Sequence, residues 1–156
     1  MPAWLPLLAI VFLSACSQKA ATTAELGEKL NSAETGKEAK EAILDELSLR
    51  SDAAAIPYLD TYLAGESTDA GLFIKALGAL VATGREEAAR VIIKHTKNKS
   101  PDMVIQMIYA LEQLPCRDSY GFLITMAHGY PDNKVREAAQ NVLQTHARFA
   151  PTPGEN

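Results

Sequence analysis

The chain has 156 residues, with 47% hydrophobic and 22% charged side chains and a formal net charge of -4. That length suits one domain, and the composition excludes an intrinsically disordered chain. The missing basic excess argues against a dedicated nucleic-acid binder, and the wealth of Ala, Leu, Glu and Lys favours helix throughout.

Met1 to Ala15 carry no charged side chain, and the first lysine is Lys19. The apolar run from Ala3 to Leu13 is too short to span ~30 Å of hydrocarbon as a helix, but it fits the h-region of a secretory signal. It ends in Leu13-Ser14-Ala15-Cys16, which resembles the lipobox of bacterial lipoproteins. That resemblance implies cleavage after residue 15 and a diacylglycerol on the Cys16 thiol. The segment departs from the pattern in lacking Lys or Arg before the apolar run. The competing readings are an uncleaved interfacial anchor and a plain secretory signal. Ser17 follows the cysteine in place of Asp, which by resemblance to sorting rules implies the outer membrane, facing the periplasm. Ser17 to Thr23, rich in Ala, Thr and Ser, reads as a flexible tether, and a short helix is expected over 23–31.

A repeat follows. Leu44, Leu77, Leu111 and Leu143 are spaced 33, 34 and 32 residues apart, and each of the first three is followed fifteen residues later by Leu59, Ile92 or Met126. Apolar residues three and four positions before these second markers lie on one helical stripe. Gly36, Gly65, Gly84, Pro101, Pro115, Gly129 and Pro131 punctuate the segments. Ser67 with Asp69, Ser100 with Pro101, and Asp132 or Asn133 have the chemistry of helix N-termini. Helices are therefore expected over 37–50, 53–64, 70–83, 86–98, 102–114, 117–128 and 133–147, with no strand. A lone amphipathic pair cannot bury its apolar stripe, so pairs stack. The expectation is an all-α fold, an α–α superhelix of about three and a half helix pairs. It divides into a signal at 1–15, a lipidated Cys16 and tether at 16–35, a repeat domain at 36–148 and a tail at 149–156.

The segment Tyr130-Pro-Asp-Asn-Lys-Val-Arg-Glu-Ala-Ala-Gln-Asn-Val-Leu143 resembles the loop and first helix of a HEAT-like repeat, with Asp or Asn in the turn, then Val-Arg, an Ala pair and Leu. Ala55-Ile-Pro-Tyr-Leu59 resembles the second helix. The likeness covers about 37–147 and is weakest where Leu72-Phe73 and Val104-Ile105 stand in place of Val-Arg. A closed helical bundle and a tetratricopeptide-like stack are the alternatives.

For chemistry, no Gly-x-Ser-x-Gly elbow and no Cys-x-x-Cys is present, and His95, His128 and His146 have no helical pairing. Some HEAT-like enzymes hold iron through repeated His-Glu pairs; here the histidines precede Thr96, Gly129 and Ala147. The reading is accordingly no enzyme, no metal, no cofactor, no small-molecule substrate and no nucleic acid. Cys116 reads as a small, half-buried hydrophobe, with a redox role as the alternative. The resemblance implies that second helices line the concave side of a solenoid. That places Tyr58, Arg90, Lys94, Tyr120 and His128 on or beside a surface for a protein partner; Tyr and Arg suit such anchors. Arg90, Lys94 and Lys97 are expected on one helix face, for which a merely solvated basic stripe is the other reading. The functional expectation is a membrane-anchored protein-binding scaffold or assembly factor. The alternatives are a self-associating envelope protein and an enzyme with an unrecognised site.

Overall fold

The computed structural model describes residues 20–65 and 69–147. The expected signal, Cys16 with its expected lipid, Ser67 and the tail lie outside the described residues. Eight α-helices follow among them: α1 (Thr23–Asn31), α2 (Lys37–Arg50), α3 (Ile56–Ala64), α4 (Ala70–Ala82), α5 (Glu86–Lys94), α6 (Pro101–Glu112), α7 (Arg117–Gly129) and α8 (Asn133–Thr145), with no strand. No described helix is long and apolar enough to cross a membrane.

Local chemistry explains the starts. At α1 the Thr22 hydroxyl accepts from the Glu25 amide at 3.2 Å while Glu25 accepts from the Thr22 amide at 2.7 Å. This reciprocal pair satisfies two donors that the first turn leaves without helical partners. Asp69, Ser100 and Asp132 cap α4, α6 and α8 through their side chains, as the sequence suggests for these positions. A 3₁₀ turn at Ala53–Ala55, itself capped by Asp52, feeds α3, where Pro57 occupies the first turn. There the missing N–H costs nothing. Gly84 ends the α4 segment at φ 62°, a conformation that glycine adopts without strain.

One boundary differs from expectation by more than three residues. The helix foreseen over 86–98 stops at Lys94, and a turn carries the chain to Ser100. The Thr96 hydroxyl donates back to the Ile93 carbonyl at 2.7 Å, and Asn98 sits at φ 65°. Asn tolerates that left-handed conformation better than most residues do. Lys97 therefore leaves the helical face on which it was expected with Arg90 and Lys94.

The helices form two layers. The first runs α2, α4, α6, α8 and the second α1, α3, α5, α7, each helix packing on the next member of its own layer, and the layers meet through chain neighbours such as α1 with α2, α3 with α4 and α7 with α8. This is the expected all-α superhelical stack. Within the first layer, α2–α4 and α6–α8 are close pairs, while α4 and α6 meet more loosely. The core follows the repeat: Leu44, Leu77, Leu80, Ile92, Met107, Leu111 and Leu123 are all buried. So are Ala76, Ala88, Ala89, Ala110 and Ala139, whose small side chains let helices approach. Leu30 of α1 belongs to the same apolar cluster as Leu44 and Leu59, so the short helix shares the core of the stack it precedes. On α6, Met107 and Leu111 serve that cluster, while Val104 and Ile108 serve a second one with Leu123, Val135 and Val142. Cys116 is buried at the start of α7, with its sulfur 3.2 Å from the Ser119 hydroxyl, which is also 2.8 Å from the Leu114 carbonyl.

Candidate partner-binding surface

The residues expected to meet a partner all lie on the second layer, but they do not converge. Tyr58 is half-buried on α3 and faces α1: a Cβ built at Gly27 would lie under 3.0 Å from the tyrosine ring. Glycine at 27 is what lets that ring seat. The Tyr58 carbonyl also accepts from the Asn31 side chain at 3.0 Å. This tyrosine packs the first two second-layer helices together. Tyr120 is half-buried on α7, and His128 is exposed at the C-terminal end of the same helix.

Arg90 and Lys94 are brought together. Successive turns of α5 place them on one side of that helix, in line with the i, i+4 rule. Each also reaches across to a neighbouring helix. Lys94 pairs with Asp60 of α3 at 2.9 Å, and His95 approaches the other oxygen of Asp60 at 2.6 Å. In the opposite direction Arg90 meets Asp118 of α7 at 2.7 Å, with Glu86 behind it at 3.3 Å. The cations singled out in the sequence thus also tie α3, α5 and α7 together.

Burial alone would push the Asp60 carboxyl up, but hydrogen bonds from Lys94 and His95 hold it below its ordinary value of 3.8. A lowered carboxyl contributes stability that is complete above the unfolded value and disappears as pH falls through the folded one. Asp60→Asn should lower the unfolding midpoint by about 3–6 °C near pH 7, since a charge-assisted hydrogen bond is worth about 1.5 kcal/mol. In thermal melts followed by circular dichroism, that gap should narrow as pH falls below 3.8 and the wild-type carboxylate takes up its proton. A gap unchanged at acid pH would mean that the carboxylate is not what Lys94 and His95 hold.

Between α5 and α7 lies an open groove of about 530 Å³. Ile93 and Phe122 form its apolar side, Gly121 and Thr125 leave it open, and Arg90, Lys94, Arg117 and Asp118 rim it. Tyr58, Tyr120 and His128 do not line it. Arg117 and Asp118 were not singled out in the sequence, and Phe122 entered only as part of an apolar helical stripe. The available signal was one of register: Asp60 and Lys94 stand 34 residues apart, and Arg90 and Asp118 stand 28 apart. Opposite charges about one repeat apart mark rungs between adjacent copies.

A second groove of about 390 Å³ follows the looser seam between α4 and α6. Its walls include Ile74 and Tyr109, which are 49% and 44% exposed, with Gly78 and Ala82 as its low floor and Gln106 and Gln113 as polar contributors. No charged side chain lines it. Among the described residues, no group of three or more His, Cys, Asp or Glu side chains is placed to hold a metal ion.

No protein-family model, curated protein or solved structure matches the chain.

Proposed function

We propose that the chain is a HEAT-like lipoprotein of the bacterial cell envelope that binds another protein and catalyses nothing. In this reading Cys16 carries the lipid, the outer membrane is the anchor, and the helical stack faces the periplasm. The observation that carries the binding half is the open, charged groove between α5 and α7 on a rigid two-layer scaffold. Repeat stacks keep one framework while their surfaces vary, and such surfaces serve recognition. The anchoring half rests on Leu13-Ser14-Ala15-Cys16 directly after an apolar run. Acyl chains add about 0.8 kcal/mol per buried methylene, so two or three suffice for stable attachment.

Intact mass spectrometry of protein extracted from membranes tests the anchor. The expected species lacks residues 1–15 and carries acyl chains, and Cys16→Ser yields neither change. An unprocessed, unacylated native chain would sink the anchoring half. Chemical crosslinking of the same extract tests the other half, which fails if no specific companion protein is recovered. A second reading, self-association, is favoured by the uncharged groove with exposed Ile74 and Tyr109. Sedimentation showing a strict monomer removes it.

A further inference from the structure

We infer that the groove between α5 and α7 receives an acidic amphipathic segment of the partner protein, with an apolar side chain seated on Ile93 and Phe122 and a carboxylate on Arg117. This deepens the scaffold reading and rests on it.

Three observations converge. The first is charge. Lys94 is paired with Asp60, and Arg90 with Asp118 and Glu86. The Arg117 side chain forms no hydrogen bond or ion pair among the described residues. It is also the first residue of α7, where the helix dipole places positive potential and favours an anion. A cation there is locally unfavourable, and an incoming carboxylate relieves both faults: it neutralises Arg117 and meets the helix end. The neighbouring Arg90–Asp118 pair is exposed, so it can exchange its partner at little cost.

The second observation is the floor. Ile93 packs against the main core, and Phe122 packs against both apolar clusters, yet each is only partly buried. Both are therefore firmly held from below while presenting apolar surface to the groove. A rigid aromatic platform with a charged rim has the layout of a binding anchor.

The third is clearance. Nothing lies within 4 Å of a Cβ built at Gly121, so the absent side chain keeps the groove open. Glycine inside a helix is less favourable than alanine, and no left-handed backbone requires it at this place. The uncharged α4–α6 groove has no comparable feature to define an occupant.

The test uses full-length protein in detergent micelles and a fluorescein-labelled amphipathic peptide with Leu and Phe on one face and Glu flanking them. Gly121→Leu fills the groove while improving helix propensity, so lost binding is not lost folding. Arg117→Glu reverses the critical charge on an exposed side chain. The acidic peptide should bind the wild type, and each substitution should weaken it at least about tenfold. A version with Lys in place of Glu should not bind. Equal binding of the two peptides, or undiminished affinity in Gly121→Leu, overturns the proposal. So does the case in which phosphatidylglycerol vesicles bind through Arg117 and the peptide does not. Crosslinking of the native partner separates the two levels. A companion captured equally by wild type and Gly121→Leu leaves the scaffold standing and rejects the groove, whereas no companion in either rejects both.

Discussion

Replacing Leu111 with alanine should lower the thermal unfolding midpoint by about 6–12 °C. Leu111 is fully buried on α6 and belongs to the apolar cluster that joins α1 through α6. Leucine-to-alanine changes in close-packed interiors cost about 3 kcal/mol or more, partly from lost transfer energy and partly from the cavity left behind. For a chain of this size, about 1 kcal/mol corresponds to roughly 2–4 °C. A similar truncation at Leu49, which is 81% exposed on α2, should move the midpoint by less than about 2 °C. Calorimetry on both variants makes the comparison. If the two losses are equal, the burial pattern around the key leucines is wrong.

Adding one carbon at Gly27 should do more than its size suggests. Alanine is the better helix former by up to about 1 kcal/mol, so an open site would be stabilised. Here the new Cβ meets the Tyr58 ring at under 3.0 Å, and the ring must move. Forced overpacking costs about 1–3 kcal/mol, which gives net destabilisation and loosens α1 from α3. The sign should reverse when the ring is absent: in a Tyr58→Ala background, Gly27→Ala should stabilise. Urea unfolding of the four proteins measures the coupling, expected at about 2 kcal/mol. Additive effects would show that Tyr58 does not seat on Gly27, and would return that tyrosine to the pool of partner-binding residues.

The layered stack was legible because its information is periodic. One leucine per copy and a second marker fifteen residues on suffice to place α2 through α8, and the capping residues Asp69, Ser100 and Asp132 fix three of the starts. The end of α5 was not legible, because Ile93-Lys94-His95 keeps the helical pattern while Thr96 and Asn98 turn the backbone. Those are local hydrogen-bond and dihedral effects that apolar periodicity does not register. The surface was less readable still. Basic residues at 90 and 94 stand out in the chain, but their meaning depends on Asp60 and Asp118, which lie on neighbouring helices. Tyr58 looked like a free anchor because a tyrosine carries the same letters whether it faces solvent or a glycine. Arg117 attracted no notice, since its mismatch with the helix end exists only once that end is located.

The polar ties between neighbouring helices recur at similar chain separations. Lys37 reaches Asp69, Lys75 reaches Asp45, Lys94 reaches Asp60, and His146 reaches the Glu112 carbonyl, at separations of 30 to 34 residues, and Arg90 reaches Asp118 at 28. Such a lattice of ties has a direction of growth. Duplicating one central hairpin in frame would present each new helix with the same kind of neighbour above and below, so the protein could be made taller without inventing a new joint. Its height, like that of a column assembled from drums, is then set by how many units the gene supplies and not by any closure of the ends.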